Sequence, residues 1–141
     1  LIKKDPNLEG FVEIEKNIKG VEFIPFNGYW TKGNMHFMHG VYTNAHHSKK
    51  TAQNYNRNVI YGHVHDIQSF TLQSPVDVTD VRMAQSIGCL CNRNPTFNEG
   101  RPNKWIHAFG YTEIRDKGLF NHYTITIFNS SFTYAGKLYR G

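Results

Sequence analysis

The chain has 141 residues, which suits one domain with a hydrophobic core, and we expect residues 1–141 to form it. Lysine and arginine exceed aspartate and glutamate by 16 − 11 = 5, but they are scattered, so the charge favours polyanionic partners only weakly. The 2 cysteines exclude a disulfide-rich scaffold, no apolar stretch could span a membrane, and the amino terminus does not resemble a signal peptide. These features predict a cytoplasmic protein with no membrane partner.

The first predicted element is a helix over residues 7–18, where apolar residues recur at roughly helical spacing. Alternation within residues 11–15 leaves a strand open as the alternative. Residues 21–26 predict a short buried strand, and Asn27-Gly28 predicts a turn into a hairpin. Residues 34–38 predict a further strand that delivers His39 at its end.

The next stretch predicts a helix followed by a strand. Residues 44–55 are polar and contain alanine, as in a surface helix, and residues 58–61 read as a strand that stops at Gly62. The loops that carry His39 and His63 then both follow strands. If the two strands are parallel neighbours, both loops lie at the edge of the sheet where α/β folds bind ligands.

After residue 66 the pattern becomes β-rich. Strands joined by turns are predicted at residues 67–72, 81–87, 105–114, 120–128 and 131–134, with a long loop at 92–103. The predicted fold class is therefore α/β, or α+β, with an antiparallel second half.

Three histidines form the main candidate site: His39 before Gly40, and His63 and His65 in the sequence Gly-His-Val-His. Neutral imidazole is the commonest protein ligand for transition metals. In an extended backbone, Val64 would send His63 and His65 to different sides, which suits two neighbouring ions better than one.

Other polar residues near these motifs are weaker candidates for the site. Asp66 could orient a ligating imidazole, although turn capping explains it as easily. His46 and His47 could assist phosphate binding from a helix start, but consecutive residues point to different helix faces, which favours a solvated surface pair. Cys89 and Cys91 are expected to be buried free thiols, with Cys89 a small hydrophobic residue or part of the site rim.

His107 and His122 have no companion motif and are expected to be structural, and His36 is expected to be a packed or exposed strand residue rather than a fourth ligand.

The histidine motifs resemble the last two metal motifs of the calcineurin-like metallophosphoesterase superfamily, especially its phage and bacterial phosphoesterases. The resemblance covers roughly residues 20–115: His-Gly at 39–40, a helix, Gly-His-x-His at 62–65, and a turn within 85–90. It implies a four-layer αββα sandwich with two divalent ions, Mn, Fe, Ni or Zn, about 3.5–4 Å apart. His39 and His63 would bind one ion and His65 the other.

The resemblance also implies a function. A water activated by the two ions would hydrolyse a phosphomonoester or phosphodiester, and the basic charge leans toward nucleic acid as substrate. The family's amino-terminal motifs, D-x-H, G-D-x-x-D and G-N-H-D/E, have no counterpart here, since Met35 occupies the histidine position of the nearest match to the third. We therefore expect the carboxyl-terminal half of such an enzyme: a gene fragment, a proteolytic product, or a subunit whose other half is a separate chain. Alone it should be weakly active or inactive, and it should pair with the missing half or with itself.

Two other functions stay open. The chain could be a non-catalytic binding or structural module that kept half of this fold. It could instead be a basic, β-rich nucleic-acid-binding domain with incidental histidines, in which residues 101–105 supply an aromatic ring beside basic residues for base stacking.

Overall fold

The computed structural model describes residues 19–20, 22, 24–25 and 27–141. The helix predicted at residues 7–18 lies outside the described residues. Of the strand predicted at residues 21–26, only Glu22, Ile24 and Pro25 are described, and these three are not in a strand.

The described residues form a strand-rich α+β fold. Its elements in chain order are β1 (Tyr29–Lys32), β2 (Met35–Met38), α1 (His47–Tyr55), β3 (Asn58–Tyr61), β4 (Ser69–Gln73), β5 (Val81–Ser86), β6 (Ala108–Ile114), β7 (Phe120–Thr126), β8 (Ser131–Tyr134) and β9 (Lys137–Arg140), with short 3-10 turns at Thr96–Asn98 and Asp116–Gly118.

A mixed five-stranded sheet, in the order β1-β2-β3-β5-β4, is the centre of the fold. Strands β2, β3 and β5 are parallel, and β1 and β4 pair antiparallel at the two edges. The buried core joins Ala52 of α1 to Val59 and Tyr61 of β3 and Ala84 of β5. A central parallel strand is covered on both faces, which explains why β3 has an unbroken apolar run, Val-Ile-Tyr.

This topology determines where the candidate loops lie. Because β2 and β3 are adjacent and parallel, their carboxyl ends meet at one edge of the sheet, as the order of strand, helix and strand predicted. Strand β5 is parallel to β3, so the segment after Ser86 reaches the same edge.

The strands predicted in the second half are present with shifted ends, but β5 pairs antiparallel with β4 and parallel with β3, so the second half is not purely antiparallel. Strands β6 and β7 form one hairpin, and β8 and β9 form another. Strand β9 was not predicted. The hairpin predicted to turn at Asn27-Gly28 was placed wrongly, because β1 and β2 turn at residues 33–34, where Gly33 has a φ of 57°.

His122 in β7 should make the stability of the fold depend on pH. Its Nδ1 lies 2.7 Å from the Thr112 hydroxyl oxygen, and burial lowers the pKa of His122 below its ordinary value of 6.5. Below pH 6.5 the unfolded chain therefore takes up a proton at this position that the folded chain resists, so stability should fall as the pH falls through this range. The urea midpoint should drop less between about pH 7 and 5 in His122→Gln than in the wild type. Equal slopes in the two proteins would contradict this assignment.

Candidate metal centre

The loops after β2 and β3 lie side by side. The Gly62 N–H donates to the His39 carbonyl at 3.0 Å, which continues the parallel pairing one step beyond the strands. Each loop then presents a histidine at the same edge of the sheet, and both His39 and His63 are exposed.

The rings of His39 and His63 are in edge-on contact. His39 Nε2 lies 2.9 Å from His63 Nδ1, and the ring centroids are 4.8 Å apart with an interplanar angle of 61°. In the absence of an ion, one nitrogen donates a hydrogen to the other. Two imidazoles on one tetrahedral zinc ion have nitrogens about 3.3 Å apart, from metal–nitrogen bonds of about 2.0–2.1 Å. The observed separation is thus close to that of two ligands sharing one ion.

The backbone from Gly62 to His65 is a tight bend. His63 and His65 have φ values of 68° and 61°, and the Val64 N–H donates to the Gly62 carbonyl at 2.8 Å. The prediction of an extended backbone here is therefore wrong. A left-handed conformation costs a non-glycine residue about 1–2 kcal/mol, and residues held in it cluster at functional sites.

Gly40 permits the close approach of the two loops. Its φ is 99°, and a Cβ atom there would lie 2.9 Å from Tyr61 Cδ2 and 3.3 Å from the Gly62 carbonyl oxygen. A Cβ atom on Gly62 would meet nothing nearer than the His39 carbonyl oxygen at 3.6 Å. A side chain at Gly40 would therefore disturb the contact between the two loops, whereas one at Gly62 would not.

Asp66 supports the loops from behind. Its Oδ1 accepts from the Ser86 hydroxyl at 3.0 Å, its Oδ2 accepts from His47 Nε2 at 3.0 Å, and its carbonyl accepts from the Gly88 N–H at 2.8 Å. The imidazole that Asp66 orients is thus that of His47, which is not one of the predicted ligands.

His47 is 3% exposed, whereas His46 is exposed. The predicted solvated pair is therefore wrong for His47, because α1 begins at His47 and turns this residue toward the sheet. Since the Asp66 carboxylate can only accept, the hydrogen lies on His47 Nε2, and the Tyr61 hydroxyl donates to Nδ1 at 2.6 Å. Burial raises the pKa of Tyr61 to about 12, which keeps this donor protonated. His46 and His47 thus have no common role.

His65 points to a different set of neighbours. Its Nδ1 lies 3.9 Å from Cys91 Sγ, and its ring packs edge-on against Trp105 with centroids 4.4 Å apart. Burial lowers the pKa of His65, and the nearby His63 and His39 lower it further, which favours the neutral, metal-binding form.

The two cysteines join His65 in a second group of potential ligands. One ligand atom from each of His65, Cys89 and Cys91 lies within 4.8 Å of the other two. Both thiols are free as predicted, but Cys89 is only partly buried and Cys91 is exposed. Burial, together with a hydrogen bond that the Cys89 thiol donates to Cys91, raises the pKa of Cys89 to about 11, which argues against a nucleophilic thiolate at neutral pH.

Sequence reasoning missed this second group. The available signal was a Cys-x-Cys segment soon after the strand predicted at residues 81–87, but the parallel pairing of that strand with β3, which brings the cysteines to this edge, was not predicted.

Two of the histidines predicted to be structural have contacts consistent with that role. The ring of His36 pairs with Thr31 across the β1–β2 hairpin, with Nδ1 2.9 Å from the hydroxyl oxygen. His107 Nε2 donates to the Cys91 carbonyl at 2.9 Å, which places His107 beside the cysteine segment.

The chain matches no protein-family model, and no similar curated protein or solved structure was found. Within the described residues, no helix is long and apolar enough to cross a membrane. A functional assignment therefore depends on the motifs and on the geometry of these loops.

Proposed function

We propose that His39 and His63 are the histidine part of a two-metal phosphoesterase centre of the calcineurin-like type, acting on phosphomonoesters or phosphodiesters. The observation that carries the proposal is the 2.9 Å contact between His39 Nε2 and His63 Nδ1 at the ends of adjacent parallel strands. Two motifs 24 residues apart in sequence thus converge on one point, with nitrogens 2.9 Å apart against about 3.3 Å for two imidazoles on one tetrahedral ion.

The donor groups fit a transition-metal ion. Both rings are exposed to solvent, so an ion and a phosphate ester can reach them, and neutral imidazoles leave the charge of the ion available to a phosphate. When bound, paired divalent ions supply a hydroxide near neutral pH and stabilise the phosphoryl oxygens. His39 and His63 would bind one of these ions. Gly40 lets the two loops approach each other, and the hydrogen bond between Asp66 and His47 fixes the loop after β3 against α1.

The finer fold belongs to the same proposal. In a four-layer αββα sandwich, the five-stranded sheet and α1 would form one side, and carboxylate ligands in D-x-H and G-D-x-x-D motifs would come from a further polypeptide segment. Pairing with that segment, or self-association, and a cytoplasmic location are parts of this proposal.

A nucleic-acid-binding module with incidental histidines is the weaker alternative. The ring predicted to stack on bases, that of Trp105, is partly buried and packs against His65. Its edge-on contact with an imidazole occupies surface that a base would need.

The test begins with metal binding by the whole chain. Calorimetric titration with Mn²⁺ should show binding that weakens at least about tenfold in His39→Ala and in His63→Ala. His36→Ala is the matched control, because His36 lies on β2 and contacts Thr31 instead of the loops. No response to Mn²⁺ in the wild type, or equal affinity in all variants, would contradict the proposal.

Phosphate chemistry is tested separately. Inorganic phosphate should bind only in the presence of Mn²⁺, and His63→Ala should abolish this binding. Hydrolysis of bis-p-nitrophenyl phosphate by the chain alone should be weak or absent, because the carboxylate motifs are missing. Metal binding without any metal-dependent phosphate binding would favour a non-catalytic module.

A further inference from the structure

His65, Cys89 and Cys91 have the geometry of a metal site that is distinct from the His39 and His63 pair. A tetrahedral zinc ion holds a thiolate sulfur and an imidazole nitrogen about 3.6 Å apart, given bonds of about 2.3 and 2.0–2.1 Å. The distance from Cys91 Sγ to His65 Nδ1 is 3.9 Å, and the three donor atoms all lie within 4.8 Å of one another. Small side-chain rotations would therefore complete the set.

Backbone hydrogen bonds hold these donors together independently of any ion. The Ile106 N–H donates to the His65 carbonyl at 2.8 Å, and the Cys89 N–H donates to the Ile106 carbonyl at 3.0 Å. The Ala108 N–H then donates to the Cys89 carbonyl at 3.1 Å. One short segment, residues 106–108, thus fixes the loop after β3 against the loop after β5.

Neighbouring side chains orient the same donors. The Trp105 ring lies against the His65 ring at an interplanar angle of 80°, which limits its rotation. His107 Nε2 donates to the Cys91 carbonyl and fixes the backbone of the second cysteine. Supporting contacts of this kind raise the affinity of a site, because less order has to be gained on binding.

We propose that His65, Cys89 and Cys91 bind a thiophilic divalent ion of the Zn²⁺ class. Thiolates select zinc over hard ions such as Mg²⁺ or Mn²⁺, and each cysteine would lose its thiol proton to solvent as its sulfur bonds to the ion. Three protein ligands leave the fourth position of a tetrahedral ion open, as in catalytic zinc sites. The site does not require His39 or His63, so it would fill whether or not that pair holds an ion.

Co²⁺ is the probe for this site, because cobalt bonded to thiolates absorbs in the near ultraviolet whereas cobalt bonded only to imidazoles does not. Titrating the reduced full chain with Co²⁺ should produce this absorption with about one equivalent, and Zn²⁺ should displace it. Cys89→Ser and Cys91→Ser should each reduce the absorption, and the double variant should abolish it. His65→Ala should weaken Co²⁺ binding at least about tenfold.

The control variant is His63→Ala, which should keep the thiolate absorption at full intensity while losing Mn²⁺ binding at the other pair. Failure of one site is thereby distinguished from failure of the other. Thiol alkylation of the wild type gives a readout that needs no folded variant, since Zn²⁺ should protect both cysteines. Absence of the absorption in the reduced wild type, its persistence in the double serine variant, or alkylation unchanged by Zn²⁺ would each overturn the proposal.

Discussion

Replacing Gly88 with alanine is expected to destabilise the fold by about 3 kcal/mol or more. Gly88 has a φ of 71°, and a Cβ atom there would lie 2.5 Å from the Ile106 carbonyl oxygen and 3.0 Å from Ala108 Cβ. The backbone cannot shift easily, because the Gly88 N–H is held by the Asp66 carbonyl at 2.8 Å. Urea unfolding should show a lower midpoint with an unchanged slope.

Gly100→Ala is the matched control for Gly88→Ala. Gly100 has nearly the same φ, 72°, but a Cβ atom there would have nothing within 4 Å. Gly100→Ala should therefore lower the free energy of unfolding only by the cost of a left-handed alanine, about 1 kcal/mol. Equal losses in the two variants would mean that the contact with Ile106 contributes nothing beyond backbone strain.

The sequence predicted the placement of the first histidine pair for a sound physical reason. Residues 34–38 and 58–61 are short apolar runs, and the polar helix-forming stretch between them is long enough for a parallel crossover. Parallel neighbours bring their carboxyl ends to one edge, so His39 and His63 had to lie near each other once the two strands paired.

The orientation of His65 could not be predicted, because it depends on contacts distant in sequence. The bend at residues 62–65 contains a local bond from the Val64 N–H to the Gly62 carbonyl, but His65 itself is held by the Ile106 N–H, which is distant in sequence. Pattern reasoning therefore assumed an extended backbone and did not predict the contacts of His65 with Trp105 and Cys91. The burial of His47 was missed because the helix begins three residues later than the predicted start at residue 44.

Both groups of candidate ligands follow from one property of the sheet. Strands β2, β3 and β5 are parallel, and each is followed by a loop with side chains that can bind metals: His39 after β2, His63 and His65 after β3, and Cys89 and Cys91 after β5. The middle loop contributes to both groups, because its bend turns one histidine to each side.

His47→Ala is expected to lower the free energy of unfolding by about 3 kcal/mol, although His47 is not among the proposed ligands. The side chain is 3% exposed, and its removal would leave a cavity between α1 and the sheet. It would also remove the Nδ1 atom that accepts the hydrogen bond of the Tyr61 hydroxyl, and Tyr61 is only 2% exposed. The loss of the imidazole should cost less free energy at Asp66, since its side chain is 31% exposed and water can replace the imidazole as hydrogen-bond donor.

The adjacent residue supplies the control for His47→Ala. His46 is exposed and makes no capping hydrogen bond with its side chain, so His46→Ala should change stability by less than about 0.5 kcal/mol. A double-mutant cycle with Tyr61→Phe then isolates the hydrogen bond, and the cost of His47→Ala should fall by about 1 kcal/mol in that background. Strictly additive losses would show that His47 stabilises the fold through packing alone. Because Asp66 also holds the Gly88 N–H, His47→Ala should loosen the loop after β5 and weaken Co²⁺ binding more than His46→Ala does.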